Sequence, residues 1–497
     1  MLSTHGACIR LIAATWTLAH LHGCSSRHGE SEHTTHVTDV TGALRERAHE
    51  DPDAAASDPF GGPEALVAAL GDRGYLVQTG LVIAFFVEDC ASLPSCYGAN
   101  ATSPYLIALV PPASTEREDA GDGMLSTFRL RRDEAIVLIG QTPPTAAYYS
   151  FTPYVFSRFD PATRERATVF ASVSDALNLA NIATGNDQVF SQQVAIIFAA
   201  DSKTHDEVRD ALVMHEVDGS AVNTVVLPAD LLKLGLQDDR DELELLGRVA
   251  LFDDAEAGRT YLEQPPWRLL RVSPRREHAG FSALEPSARV RRGSGTTEEA
   301  LKSALDELDT AIRRHHSELP VQEVPIYSAP IVAAALDPMR CLDTLSNCLG
   351  EVSDTTYSAG PPRAESGGTP LRLSDHPSDY FIAYGVNHEA SGKATYSNVV
   401  VQNQAKQAGV VDFTSRQMRG SAQRYLGDHP DADKLFAVKI ARACADEPNC
   451  IEVPTTFPGV GLEEDLGFVF RAYLEPGHSV SSAPSELLTE RVLHVLP

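Results

Sequence analysis

The sequence predicts an α+β fold: two β-rich regions, antiparallel and sandwich-like, on either side of a central ferredoxin-like βαββαβ module. Three observations carry this expectation. Runs of alternating or continuous apolar, β-branched residues crowd the stretches 63–189 and 331–497. Between 190 and 274 the pattern changes to strand, helix, strand, repeated twice. A chain of 497 residues also exceeds what one core organises, so several units are expected.

In the first β-rich region, strands are expected at Tyr75 to Val87, Pro104 to Val110, Ser126 to Leu130, Ala135 to Gly140 and Ala146 to Arg158. The last has two faces. Tyr149, Phe151 and Val155 suit a core. Tyr148, Ser150, Thr152 and Tyr154 form a row of hydroxyls, read as a solvated sheet face, with a ligand-binding face as the alternative.

In the central module, Val194 to Ala200 is a strand. Thr204 and Glu207 have capping-box spacing, and Val208, Leu212 and Val217 give a helical stripe. Strands at Asn223 to Leu227, Gly247 to Phe252 and Trp267 to Val272 follow, with a helix from Asp254 to Gln264. The stretch 275–330 holds a basic loop and an amphipathic helix. Arg268, Arg271, Arg275, Arg276, Arg289, Arg291 and Arg292 are expected to pair with acidic surface of the same chain. Thr296 and Glu299 start the helix, Leu301, Leu305, Leu308 and Ile312 line one face, and His315 and His316 close it where a cation suits the helix dipole.

The second β-rich region has strands at Tyr380 to Gly385, Thr395 to Gln402, Leu435 to Ile440, Gly467 to Leu474 and Glu490 to Val495. Gly385 to Lys393 reads as a hairpin turn, since it fails the spacing of a phosphate loop, and Tyr384 and Tyr396 would then face each other across strands. Phe468 and Phe470 alternate with Arg471 and Tyr473 as in a half-buried strand.

The formal net charge is -27, which repels phosphate backbones and argues against a nucleic-acid partner. Within residues 1–24, a short apolar stretch from Leu11 to Leu21 follows Arg10 and reads as a signal peptide. Leu21-His22-Gly23-Cys24 resembles the lipobox of bacterial lipoprotein precursors, which implies lipidation at Cys24 and a membrane partner through the lipid. By the same resemblance Ser25 permits sorting to an outer membrane. Residues 25–62, polar and without apolar period, read as a flexible tether. Removal of Cys8 and lipidation of Cys24 leave Cys90 and Cys96, Cys341 and Cys348, Cys444 and Cys450, three local pairs expected to be disulfides in an oxidising compartment. Two of these loops share C-A-x-x-P-x-C. A further stretch is similar to exported bacterial proteins with paired domains of unknown function: Asn100 to Tyr105, Ala135 to Ser157 and Val169 to Leu177. It implies a β-rich exported protein and supplies no activity.

No motif specifies a reaction. The expected catalytic set is none, and so are the cofactor and the metal, apart from one weak calcium candidate at Asp428, Asp431 and Asp433, which lacks the EF-hand spacing. His388 beside Glu389 has acid–base chemistry, but neighbours on a strand point apart. The leading expectation is a lipid-anchored envelope or cell-surface protein that binds a protein or a small molecule. The alternative is a periplasmic or extracellular enzyme, such as a hydrolase, whose site is assembled from distant residues.

Overall fold

The computed structural model describes residues 64–101, 103–113, 123–215, 217–361 and 370–497. Cys24, the signal segment and the tether lie outside the described residues. The protein is α+β, as expected. Its first half is built on β1 (Tyr75–Phe85), β2 (Tyr105–Leu109), β3 (Ala135–Gln141), β4 (Ala146–Asp160), β5 (Glu165–Ser172), β6 (Leu177–Asn178), β7 (Gln193–Ala199), β8 (Val222–Val226), β9 (Glu242–Phe252) and β10 (Trp267–Pro274). All ten share one sheet, in the order β5-β4-β9-β2-β1-β10-β3-β7-β8 with β6 on β4. β1 makes the sheet continuous. Its first half pairs with β10 and its second half with β2. Gly80 sits at the changeover, where a Cβ would collide with the Leu109 carbonyl.

This order corrects the ferredoxin-like expectation. β7 and β8 do form a βαβ unit, parallel and linked by the helix α2 (Ser202–His215), which follows α1 (Glu64–Asp72). But β9 and β10 are separated by β2 and β1, and β10 reaches β7 only through β3. The strands of 190–274 are interleaved with those of 63–189. The reason lies in burial. β3, β7 and β10 are buried on both faces along most of their length, which suits the middle of a large sheet better than the rim of a small one. α1 and α2 cover one face through Leu66, Leu70, Val208, Ala211 and Leu212. α2 begins earlier than the Thr204 capping box implies, because Asp201 accepts from the Thr204 amide at 3.0 Å. α3 (Ala255–Glu263) is capped by Asp254, as its sequence suggests. Ser126 to Leu130 is not a strand. Phe128 makes a single bridge to Leu243.

The second half is a sandwich. Its strands are β11 (Val321–Val324), β12 (Thr355–Gly360), β13 (Tyr380–Val386), β14 (Tyr396–Asn403), β15 (Ala408–Thr414), β16 (Leu435–Ala441), β17 (Cys450–Glu452), β18 (Leu466–Tyr473) and β19 (Arg491–Val495). One sheet runs β11-β19-β13-β16-β17, the other β12-β18-β14-β15. Phe381, Val438 and Ile440 of the first pack against Val399, Phe468 and Phe470 of the second. α4 (Lys302–His315) covers the outer face of the five-stranded sheet with Leu305, Leu308 and Ile312. β13 and β14 lie in different sheets, so the hairpin expected at Gly385 to Lys393 is instead a crossover. Tyr384 and Tyr396 do not meet across strands. Tyr396 stacks on Tyr473 at 5.0 Å, and Tyr384 lies under α4. Of the cations expected at the end of α4, His316 is corrected: burial, with His315 beside it, pushes it down to about 4. The two halves of the chain differ in topology, so the shared C-A-x-x-P-x-C loops reflect reuse of a turn.

Cys90–Cys96, Cys341–Cys348 and Cys444–Cys450 are bonded, with Cα separations of 5.8, 5.9 and 5.6 Å. Each closes a short loop, worth about 2 kcal/mol by loop entropy. Such bonds belong to an oxidising, extracytoplasmic space. No helix among the described residues is long and apolar enough to cross a membrane.

Candidate functional site: a cavity between the two halves

The site is built from strand faces that alternate. On β9, Leu243, Leu245 and Val249 enter the core of the first half. Glu244, Leu246 and Arg248 therefore face the other way, toward the second half. On β18, Phe468 and Phe470 fill the sandwich, which turns Arg471 and Tyr473 outward toward β9. The hydroxyl row of β4 lies on the same interface. Tyr148, Ser150, Thr152 and Tyr154 are fully buried. The reading of a solvated face fails because the second half covers it: Tyr148 packs on Tyr473 at 4.7 Å and donates to Asp354 at 2.8 Å. Burial pushes Asp354 up to about 6, against hydrogen bonds from Tyr148 and Asn178.

Where these faces do not quite meet, a cavity of ≈160 Å³ remains. Two disulfide loops close it. The Cys90–Cys96 loop docks on the β14–β15 turn, the Cys96 amide donating to Lys406 O at 2.7 Å and the Gly98 amide to Gln407 O at 2.8 Å. The Cys341–Cys348 loop delivers Gly350, whose amide donates to Phe170 O at 2.9 Å. Gly350 has φ +66°, and a Cβ there would meet the Phe170 ring at 2.8 Å.

Two guanidinium groups define the chemistry. Nη2 of Arg248 donates to Gly350 O at 2.8 Å, and Nη2 of Arg471 donates to Gly98 O at 2.8 Å. Both side chains are buried, at 5% exposure each, and neither Nη1 has a hydrogen-bond partner among the described residues. Arg248 is held by the faces of Tyr105 and Tyr154, 5.5 and 5.4 Å from the ring centres. Both arginines act electrostatically on Tyr357 and Tyr473. Glu244, 7% exposed, shares the wall, and its Oε2 has no partner among the described residues. Burial pushes this carboxyl up to about 8, with Arg248 opposing. It is therefore an acid at neutral pH. Tyr97 packs edge to face on Phe156 and Phe170, which tilt against each other, and the three form an aromatic wall.

None of these cavity residues stood out in the sequence as a site. The available signal was an arginine or glutamate inside an otherwise apolar strand, Glu244 and Arg248 in β9 and Arg471 in β18. The calcium candidate is not assembled. Asp431 pairs with Lys434 at 3.1 Å, Asp433 accepts from Gln423 at 2.8 Å, and Asp428 is exposed. No cluster that could hold a metal occurs among the described residues. His388 and Glu389 point apart, as expected. His388 is buried between Glu298 and Glu490, and Glu389 binds Ser415 and Arg419. Of the basic cluster, Arg271 pairs with buried Glu134 at 2.9 Å, while Arg289 and Arg292 donate to backbone carbonyls.

No family model and no curated protein matches this chain. Among solved structures, it is similar to an uncharacterised protein from Burkholderia cenocepacia, at 14% identity over 93% of this chain and 96% of that one, with a TM-score of 0.38. It is also similar to PNGF-II, at 7% identity over 85% of this chain and 64% of that one, with a TM-score of 0.16. At these scores neither likeness transfers a fold or an activity.

Proposed function

We propose that this chain is an exported, lipid-anchored envelope protein that binds a small anionic molecule in the cavity between its two halves. The observation that supports it is the pair of Nη1 groups on Arg248 and Arg471 that have no hydrogen-bond partner among the described residues. A buried, desolvated N–H donor without a partner costs free energy that a bound anion recovers. The aromatic and aliphatic walls supply contact area for the rest of the ligand. Titration calorimetry with a panel of small carboxylates and phosphates is expected to find a binder, and Arg471→Met is expected to weaken it by roughly 30-fold or more. If no anion binds, or if binding survives both Arg471→Met and Arg248→Met in folded protein, the proposal is wrong.

The anchor rests on the lipobox-like Leu21 to Cys24 and on the oxidising space that the disulfides imply. Palmitate is expected to label the expressed protein and not its Cys24→Ala variant. Equal labelling of both sinks the anchor and leaves the cavity reading untouched. A second reading, an extracytoplasmic enzyme, draws on Glu244, whose protonated carboxyl is the state a general acid needs. Turnover of a bound ligand, lost in Glu244→Gln, would favour it.

A further inference from the structure

Resting on that reading, we infer that the ligand is a planar ring of about benzene size bearing a single carboxylate, which is held by Nη1 of Arg248, Nη1 of Arg471 and the carboxylic acid of Glu244, with its ring against Tyr97, Phe156 and Phe170.

Four features narrow the chemistry this far. The first is space: a cavity of ≈160 Å³ is close to the roughly 150 Å³ that accommodates benzene in an apolar protein interior. The second is the lining. Tyr97 lies 5.5 Å from Phe156 and 5.8 Å from Phe170, with Phe156 and Phe170 5.4 Å apart, so the wall offers flat π-faces and edges.

The third feature is the number of donors. Each guanidinium has already committed Nη2 to a loop carbonyl and keeps Nη1 uncommitted. Both arginines line the same cavity as Glu244, yet its Oε2 has no hydrogen-bond partner among the described residues. As an acid it adds an O–H donor. A carboxylate, with two oxygens and about four lone-pair sites, takes one N–H from each Nη1 and the O–H together. A phosphate monoester, with three terminal oxygens, would leave lone pairs bare against the apolar wall. The fourth is charge. With Glu244 neutral, two cations and one monoanion share the cavity. An ionised Glu244 would add a carboxylate facing the ligand's own.

The charged and titratable groups that line the cavity with Glu244 are Arg248 on its own strand, Tyr97 after the cysteine loop, Tyr105 on β2, Tyr357 on β12, and Arg471 and Tyr473 on β18. Burial raises Tyr97, Tyr357 and Tyr473, which stay neutral where Glu244 titrates.

The test uses the full chain and calorimetry with benzoate, acetate, benzyl alcohol and phenyl phosphate. At pH 6.5 benzoate is expected to bind at least about 10-fold more tightly than the other three. Its affinity is expected to fall about 10-fold as the pH rises through about 8. Glu244→Gln, which keeps a neutral donor, should abolish that alkaline fall, and Glu244→Leu should weaken binding below about pH 8 and likewise show no alkaline fall. Phenyl phosphate or acetate binding as tightly as benzoate overturns the ring-carboxylate assignment while leaving an anion-binding cavity. An unchanged alkaline fall in Glu244→Gln overturns the role of Glu244. Failure of every anion to bind overturns this inference and the proposed function together.

Discussion

Replacing His388 by alanine is expected to lower folding stability by about 3–5 kcal/mol near pH 6, the cost of breaking a buried, hydrogen-bonded ion pair. His388 is 2% exposed. Its Nδ1 lies 2.7 Å from Glu298 Oε1 and its Nε2 lies 2.9 Å from Glu490 Oε1. Glu298 precedes α4 and Glu490 precedes β19, so one imidazolium joins the helix layer, the start of β19 and the crossover after β13. Burial opposes the charge on His388, but Glu298 and Glu490 overcome it and hold the ring up at about 10. Burial likewise raises Glu298, and His388, Ser391 and the Leu488 amide outweigh it and hold that carboxyl low. The sign follows. A folded-state value above the ordinary 6.5 contributes stability that is complete below 6.5 and is lost as the pH rises toward 10. Urea denaturation of wild type and His388→Ala should therefore differ most at pH 6 and converge above pH 10. A difference below about 1 kcal/mol at pH 6, or one that ignores pH, would show that the cluster is not ionised as described.

The strands of the second half fall close to where alternation puts them, and the three disulfides follow from parity and spacing. Local chemistry is enough for both. The period of a strand is fixed by its own pleat, and a loop of six or seven residues closes within its own reach. Pairing order is different. Nothing local to β9 says that it lies between β4 and β2, whose residues are about 100 and 140 positions upstream. The same limit hid the cavity. Arg471 and Tyr473 read as the wet side of a half-buried strand, and the hydroxyl row of β4 read as solvated, because alternation shows only that two faces differ. Each face is in fact buried against the other half of the chain. His388 was visible beside Glu389, but its working partners stand 90 and 102 positions away.

Glu244→Gln is expected to stabilise the unliganded protein in neutral and alkaline solution, by on the order of 2–4 kcal/mol at pH 9. Glu244 titrates at about 8 in the fold and near 4.5 in an exposed chain, with burial as the cause and Arg248 opposing. Between those values the unfolded chain has released the proton while the folded protein still holds it. Stability from this group therefore falls as the pH climbs from about 4.5 to about 8, and is flat outside that window. Glutamine matches the protonated acid in size and carries no proton to lose. The two proteins should melt together near pH 4.5, separate progressively to about pH 8 and keep that separation at pH 9, the variant being the more stable. Parallel melting curves across that range would mean that Glu244 is ionised, which would remove the neutral donor from the cavity. The His388 cluster acts over the higher window from 6.5 to 10 and is common to both proteins, so it cancels in the difference. An acid retained where glutamine folds better is what a binding or reacting group requires, since packing alone gives no reason for a buried carboxyl whose Oε2 has no partner among the described residues beside Arg248 and Arg471.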